Sequence, residues 1–288
     1  MTEIEPGTKL SSTKLDIAHI QYPALGFDRF GRFGLTPYGL SARRVATFHE
    51  YSIFQRLRKA SVLPFAFVNA RIFSSEVERD IYAAEVRWRR GSDHVIPIGS
   101  NVPAAPRVIR HPRSVCTFGL IMPNKGLEQF LELAEILQAR GGYHVSMIGT
   151  APKAAEAYSA SIMERARKLG VHLLLDLDAT GVSHALARHQ IAYLRYPDGA
   201  SVKRGSMIAA LVNGCVVLTT FGSNTPDWLR EIAVEATSPQ IAGDIVAKLT
   251  DDPASCAALS DASTSAASVF NWDDIANKHL QLYSSLLA

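Results

Sequence analysis

Between Pro197 and Ser206 the chain reads Pro197-Asp198-Gly199-Ala200-Ser201-Val202-Lys203-Arg204-Gly205-Ser206, and an apolar helical run follows. Free N–H groups at a helix start, hydroxyls and an adjacent cation are the groups that hold a phosphate-class anion. Ser201, Lys203, Arg204, Gly205 and Ser206 are therefore candidate ligands for one. A capped helix behind a basic loop is the plainer account of the same residues. Lys125, in Met122-Pro123-Asn124-Lys125-Gly126, stands at the mouth of another helix. An ammonium beside free N–H groups suits a diphosphate, although a Pro-Asn turn with a solvated lysine explains it equally. Gly149-Thr150 forms a small-residue turn that lets a ligand approach the backbone. His19 lies within a strand-like run and His49 ends another, followed by Glu50. A strand histidine is commonly a satisfied structural residue, and of the two His49 is the stronger acid–base candidate. Ser-His-Asp order, a P-loop, a Gly-x-Gly-x-x-Gly fingerprint and metal-ligand spacing are all absent.

These residues need elements to hold them. Leu15–Tyr22 reads as a strand stopped by Pro23, and Gly26 to Gly34 as a loop carrying Phe27, Phe30 and Phe33. Arg44–His49 and Ala66–Ala70 read as strands and Phe54–Ala60 as a helix. Ser74 is the expected cap of a helix from Ser75 to Arg90, and His94–Asn101 is a strand running into a loop. Val102 to Pro112 contains Pro103, Pro106 and Pro112 and no apolar periodicity, which predicts a linker. Beyond it, strands are expected at Val115–Leu120, Tyr143–Ile148, Val171–Leu175, Ile191–Tyr196 and Val216–Thr220. Helices alternate with them at Gly126–Arg140, Ala154–Leu169, Ser183–His189 and Ser206–Asn213, with a last one at Asp273–Leu286. Strand–helix alternation of this length predicts a parallel, doubly wound sheet, whose ligands bind beyond the carboxyl ends of its strands. Every anion candidate named above follows such a strand.

The 288 residues suggest two α/β domains, 1–105 and 106–272, with 273–288 packing back on the first. Hydrophobic residues make up 47%, enough for real cores and against disorder, and the net charge of +3 is too small to argue for nucleic acid. Arg87-Trp88-Arg89-Arg90 reads as a solvated helix end, and a contact with anionic lipid is the secondary reading. Cys116, Cys215 and Cys256 are widely spaced and read as small buried hydrophobes in a reducing compartment. Met1–Lys14 is polar, and no apolar run reaches the roughly 18 residues of a membrane span. A cytoplasmic protein is expected, with peripheral membrane attachment left open.

Several stretches in order resemble those of GT-B fold glycosyltransferases of family four. Ile96-Pro97-Ile98-Gly99-Ser100-Asn101 resembles the strand end "I-P-N-G" before their linker. Phe118–Gly126 resembles "G-R-L-x-P-x-K-G", and Val145-Ser146-Met147-Ile148-Gly149 resembles "L-x-I-x-G". Ala209–Thr220 is similar to "E-A-M-A-x-G-x-P-V-V-A-T", and Trp272 with the helix after it resembles the family's tail. In the first half, His19–Pro23 and Ala46–Glu50 look like two later strands of the first domain, without the opening strands and their glycine loop. The resemblance implies two Rossmann-like domains facing across a cleft, the first shortened. It implies retaining transfer from a nucleotide sugar, a UDP-sugar above all, to a glycan or lipid-linked acceptor in surface polysaccharide synthesis, without a metal cofactor. Lys125, Gly149, Thr150, Ser201, Lys203, Arg204, Gly205 and Ser206 then hold the donor, His49 is catalytic, and His19 and Glu50 are on the acceptor side. Leu120 stands where the family has arginine, and Ser201 and Ala209 stand where it has two glutamates. A non-catalytic homologue is the alternative, as is a half-enzyme completed by a second copy or a partner chain.

Overall fold

The computed structural model describes residues 15–22, 42–106 and 108–288. The loop expected at Gly26–Gly34 lies outside them. The chain divides into two compact units. One comprises the described residues up to Ile98 together with Trp272–Ala288, and the other is Gly99–Asn271.

In the first unit, β1 (Ile17–Tyr22), β2 (Arg43–Phe48), β3 (Ala70–Phe73) and β4 (Ser92–Val95) form a parallel sheet in chain order. One face packs on an aromatic cluster that includes Phe48, Phe65, Phe73 and Tyr82. The opposite face buries Val45, Ile72 and Ile96 against Ile275 and Leu282 of the helix Trp272–Leu287. The helix expected at Phe54–Ala60 is α1 (Arg56–Ser61).

Two expectations fail here for local reasons. The strand expected at Ala66–Ala70 begins only at Ala70, because Leu63–Phe67, which includes Pro64, forms a 3-10 turn. The strand that does form carries Arg71, whose side chain is fully buried. Its Nε donates to Asp93 Oδ1 at 2.6 Å, and its Nη1 donates to the carbonyls of Phe65 and Ala66. Arg89 Nε donates to the other Asp93 oxygen. The second helix, α2 (Glu76–Glu85), is capped by Ser75, whose hydroxyl accepts the Glu78 N–H at 3.3 Å. Ser74 is not free for that role, since its hydroxyl donates to the His49 carbonyl. The helix stops at Glu85, short of Arg90. Arg89 turns back onto the Ala83 and Val86 carbonyls, so this arginine serves a helix end and an ion pair instead of extending the helix.

The second unit has six parallel strands: β5 (Ser114–Leu120), β6 (His144–Thr150), β7 (His172–Leu175), β8 (Ile191–Leu194), β9 (Val216–Thr219) and β10 (Val234–Glu235). Their order is β10-β9-β8-β5-β6-β7. Helices α3 (Leu127–Arg140), α4 (Glu156–Lys168), α5 (Ala179–Ala187), α6 (Gly205–Val212), α7 (Asp227–Ile232), α8 (Pro239–Asp251) and α9 (Pro253–Ala267) connect and cover them. α5 starts four residues before the expected Ser183, because Asp178 accepts the Gly181 N–H and caps it. Cys116, Cys215 and Cys256 are free and buried. The proline-rich segment is tied down. Asn213 bonds the Ala105 N–H and the Pro103 carbonyl, and Arg110 donates to the His189 carbonyl at 2.7 Å. No helix among the described residues is long and apolar enough to cross a membrane.

His189 is only 2% exposed. Its Nδ1–H donates to the Ala185 carbonyl at 2.7 Å, so its neutral form presents Nε2 to the Ser146 hydroxyl at 2.8 Å. Burial pushes its pKa down to about 4, whereas an unfolded histidine sits near 6.5. The unfolded chain therefore takes up the proton first, and stability present above pH 6.5 is lost as pH falls towards 4. Denaturant titrations are expected to lose about 2 kcal/mol between pH 7 and pH 5 from this residue alone. His189→Gln is expected to flatten the slope by that amount.

Candidate functional site

In a parallel sheet of this order the strand sequence reverses between β5 and β8, and a crevice opens beyond their carboxyl ends. Two loops arrive there. The first runs from Leu120 to Gly126. Ile121 N–H donates to the Thr150 carbonyl at 2.9 Å, and the Ser159 hydroxyl donates to the Ile121 carbonyl at 2.7 Å, so the turn is held from both sides. Asn124 and Gly126 take positive φ, 64° and 70°. A Cβ on Gly126 would stand 2.7 Å from Arg195 Cβ and 2.9 Å from the Arg195 carbonyl, so the β5 loop lies directly on the end of β8. Lys125 precedes that contact. It is exposed and has no ion-pair partner among the described residues.

The second loop follows β8 and leads into α6. Gly199, with φ 87°, packs on Gly222, where a Cβ would meet the Gly222 nitrogen at 2.3 Å. The Ala200 N–H donates to the Thr220 carbonyl at 2.8 Å, and the Ala200 carbonyl accepts the Thr225 hydroxyl at 2.6 Å. The Ser201 carbonyl accepts the Arg204 N–H at 3.0 Å and turns the chain into α6. No side chain caps that helix, and its first turn carries no acid. The N–H dipoles at Gly205 and Ser206 thus keep their attraction for an anion. Gly205 is exposed, and a Cβ there would meet nothing within 4 Å.

Across the crevice, a Cβ on Gly119 would touch Ser206 Cβ at 4.0 Å. The end of β5 and the start of α6 therefore face each other without bulk between them. Tyr196 is buried, and its hydroxyl shares a 2.8 Å hydrogen bond with Ser206 Oγ. Burial pushes its pKa up to about 12, so the phenol stays protonated and can donate. Arg204 stacks over the Tyr196 ring at 5.0 Å, donates to Asp198 and keeps its Nε buried without an acceptor among the described residues.

The structure therefore brings Arg204, Gly205 and Ser206 together, with Ser201 as the backbone support of their turn and Lys203 half-buried beside them. Gly149 has a different reason to be glycine: a Cβ there would meet the Gly119 carbonyl at 2.2 Å, so it lets β6 pair with β5. Thr150 supplies the carbonyl that anchors Ile121. Tyr196, Asp198, Gly119 and Arg195 escape a reading by residue type. The only signal for Tyr196 is that it ends a strand ahead of a small-residue loop.

In the first unit His49 follows β2. Its Nε2 lies 2.8 Å from Gln21 Oε1, its backbone N–H donates to the Tyr22 carbonyl, and Glu50 beside it is exposed. His19 is engaged on both ring nitrogens, by Tyr283 and by Thr47 Oγ1. Burial between His279 and His49 lowers its pKa to about 4.

No family model matches the chain, and no curated protein sequence matches it. Solved structures do. A glycosyltransferase from Rickettsia africae superposes with a TM-score of 0.70 at 12% identity, covering 94% of this chain and 77% of that one. HepE from Anabaena, solved with UDP and glucose, gives 0.66 at 14%, covering 94% and 78%. TarM gives 0.66 at 14%, covering 93% of this chain and 54% of its own. This chain thus spans about half the length of TarM. At these identities the likeness shows the fold: Rossmann-like α/β units built on parallel sheets, the architecture of the GT-B class.

Proposed function

We propose that this chain is a glycosyltransferase that takes its sugar from a nucleotide sugar and seats the donor diphosphate at the β5–β8 switch point. One observation carries this reading. The uncapped start of α6, flanked by Arg204 and Lys203, opens opposite Gly119, and among the described residues a Cβ on Gly205 would meet nothing within 4 Å. A diphosphate there accepts the first-turn N–H groups and the Ser206 hydroxyl. Lys125 adds charge from the β5 loop. The UDP and glucose of HepE support a UDP-sugar as donor. The acceptor class is a glycan or lipid-linked sugar of surface polysaccharide synthesis. Transfer with retention needs no protein nucleophile and no metal in this scheme, because the fixed dipoles and cations stabilise the leaving diphosphate as its charge develops. His49 is the catalytic group of the first unit, with Glu50 and His19 assigned to the acceptor.

Calorimetry with UDP-, GDP- and ADP-sugars, followed by assay of nucleotide release, tests the reading. One of the three is expected to bind. Lys125→Ala and Arg204→Ala are each expected to weaken it about tenfold, the loss of one charge-assisted contact. His49→Ala is expected to lower kcat about 100-fold with donor Kd within twofold. If no nucleotide sugar binds, or if both cation variants bind like the parent, the reading is wrong. Binding without transfer is the second reading. Ser201 and Ala209 favour it, because neither position where the resemblance places a carboxylate has one. Tight binding with no nucleotide release in the presence of varied acceptors selects it.

A further inference from the structure

The second unit contains five of the nine histidines, and all five line one cavity of about 340 Å³. This cavity belongs to a different part of the unit from the switch point. His144 opens β6 and His172 opens β7, at the amino ends of the strands. His184 comes from α5, His189 from the turn after it, and His111 from the segment before β5. The His144 ring stacks on His172 at 4.4 Å between centroids, lies 5.0 Å from His111 and 5.6 Å from His189. Arg188 completes the charged lining, which among the described residues includes no Asp or Glu.

The floor is already committed. His189 bonds Ala185 and Ser146, and Ser146 Oγ lies 3.3 Å from His144 Nε2. The rim is not. His111, His172, His184 and Arg188 are exposed, and among the described residues their side chains make no hydrogen bond. A cation is a poor occupant, since no three His, Cys, Asp or Glu among the described residues are arranged to hold a metal ion. Nor does α5 leave its negative end open towards the cup. The Ala185 carbonyl takes His189, the Arg188 carbonyl takes the His111 N–H at 2.8 Å, and Arg110 takes the His189 carbonyl.

We propose that this cup is a second binding site, which takes a small phosphate-class oxyanion and holds it more tightly as pH falls. Imidazoles so close repel one another once two are protonated, and the lining offers no carboxylate to balance them. The nearest acids along the chain, Asp176 and Asp178, are not among the lining residues, and Asp178 is engaged in capping Gly181. A bound oxyanion supplies the missing countercharge, accepts N–H groups from the rim histidines and pairs with Arg188. By linkage it draws protons onto the cup as it binds. Desolvation and the neighbouring rings already hold His144 below the ordinary histidine range, so the proton and the anion arrive together.

The test is calorimetric titration of the full chain with inorganic phosphate at pH 5.8 and pH 8.0. Lys125→Ala is titrated in parallel to separate this site from the switch point. Binding is expected at pH 5.8, at least tenfold weaker at pH 8.0, and unchanged by Lys125→Ala. The heat is expected to vary with the ionisation enthalpy of the buffer, which reports proton uptake. His172→Asn/His184→Asn changes two exposed side chains and is expected to remove the binding. As a second readout, the rim histidine ring signals are expected to shift on addition of phosphate and not of chloride, while His94 does not move. Equal affinity at the two pH values, no binding, full retention in the double variant, or loss with Lys125→Ala each overturns the proposal. So does zinc binding to the cup where phosphate fails.

Discussion

Gly126→Ala is expected to destabilise the second unit by about 3 kcal/mol and to abolish donor binding. Two costs combine. An alanine at φ 70° occupies the left-handed region at about 1–2 kcal/mol. Its Cβ must also displace Arg195, whose Cβ and carbonyl stand 2.7 and 2.9 Å away on the end of β8. A backbone obstacle yields poorly, so the β5 loop moves instead and carries Lys125 with it. Gly205→Ala is the control. Nothing lies within 4 Å of its Cβ, and its stability is expected to stay within about 0.5 kcal/mol of the parent. Denaturant midpoints and donor titrations on the two variants separate the effects. A Gly126→Ala protein as stable as the parent would falsify the close approach of the two loops.

Asp93→Ala is expected to cost about 3–5 kcal/mol, the largest loss from any single change in the first unit. It strands the Arg71 guanidinium at zero exposure, with Nη2 already lacking a partner among the described residues, and it frees Arg89 as well. The neutralising double change Arg71→Met/Asp93→Leu is expected to be milder than Asp93→Ala, since it removes the charge along with its partner. Thermal melts of the three proteins give the order directly. If the single variant melts with the parent, the arginine reaches solvent and the buried pair is not what holds β3 to β4.

The second unit was legible in the sequence because its strands are continuous apolar runs separated by helices with one apolar stripe. Val115–Leu120 and Val216–Thr220 fall within a residue of the observed β5 and β9. The helices after Thr220 were not. α9 reads Pro253-Ala254-Ser255-Cys256-Ala257-Ala258, built from small residues, and it packs through Cys256, Ser263 and Ala267 instead of a leucine stripe. In the first unit Arg71 concealed β3, since a charged residue breaks the apolar run and its partner lies twenty-two positions on. At the candidate site, the cations and glycines suggested an anion by type alone. The pairing of Arg204 with Asp198, and the phenol held against Ser206, are properties of a folded loop that spacing does not encode.

The helix Trp272–Leu287 covers one face of the sheet formed by β1 to β4, although the whole second unit lies between them in the chain. During synthesis that face therefore lacks this helix until residues beyond Asn271 have left the ribosome. The second unit, contiguous in sequence, can close first, and the first unit waits for Ile275 and Leu282 to pack on Val45, Ile72 and Ile96. Nascent chains arrested with Asn271 just outside the exit tunnel are expected to resist protease in the second unit and to be cut in the first. Chains extended past Leu287 are expected to resist in both. The order of birth is thus the reverse of the order of completion, and the sixteen-residue helix Trp272–Leu287 is the step that packs onto this face of the first unit.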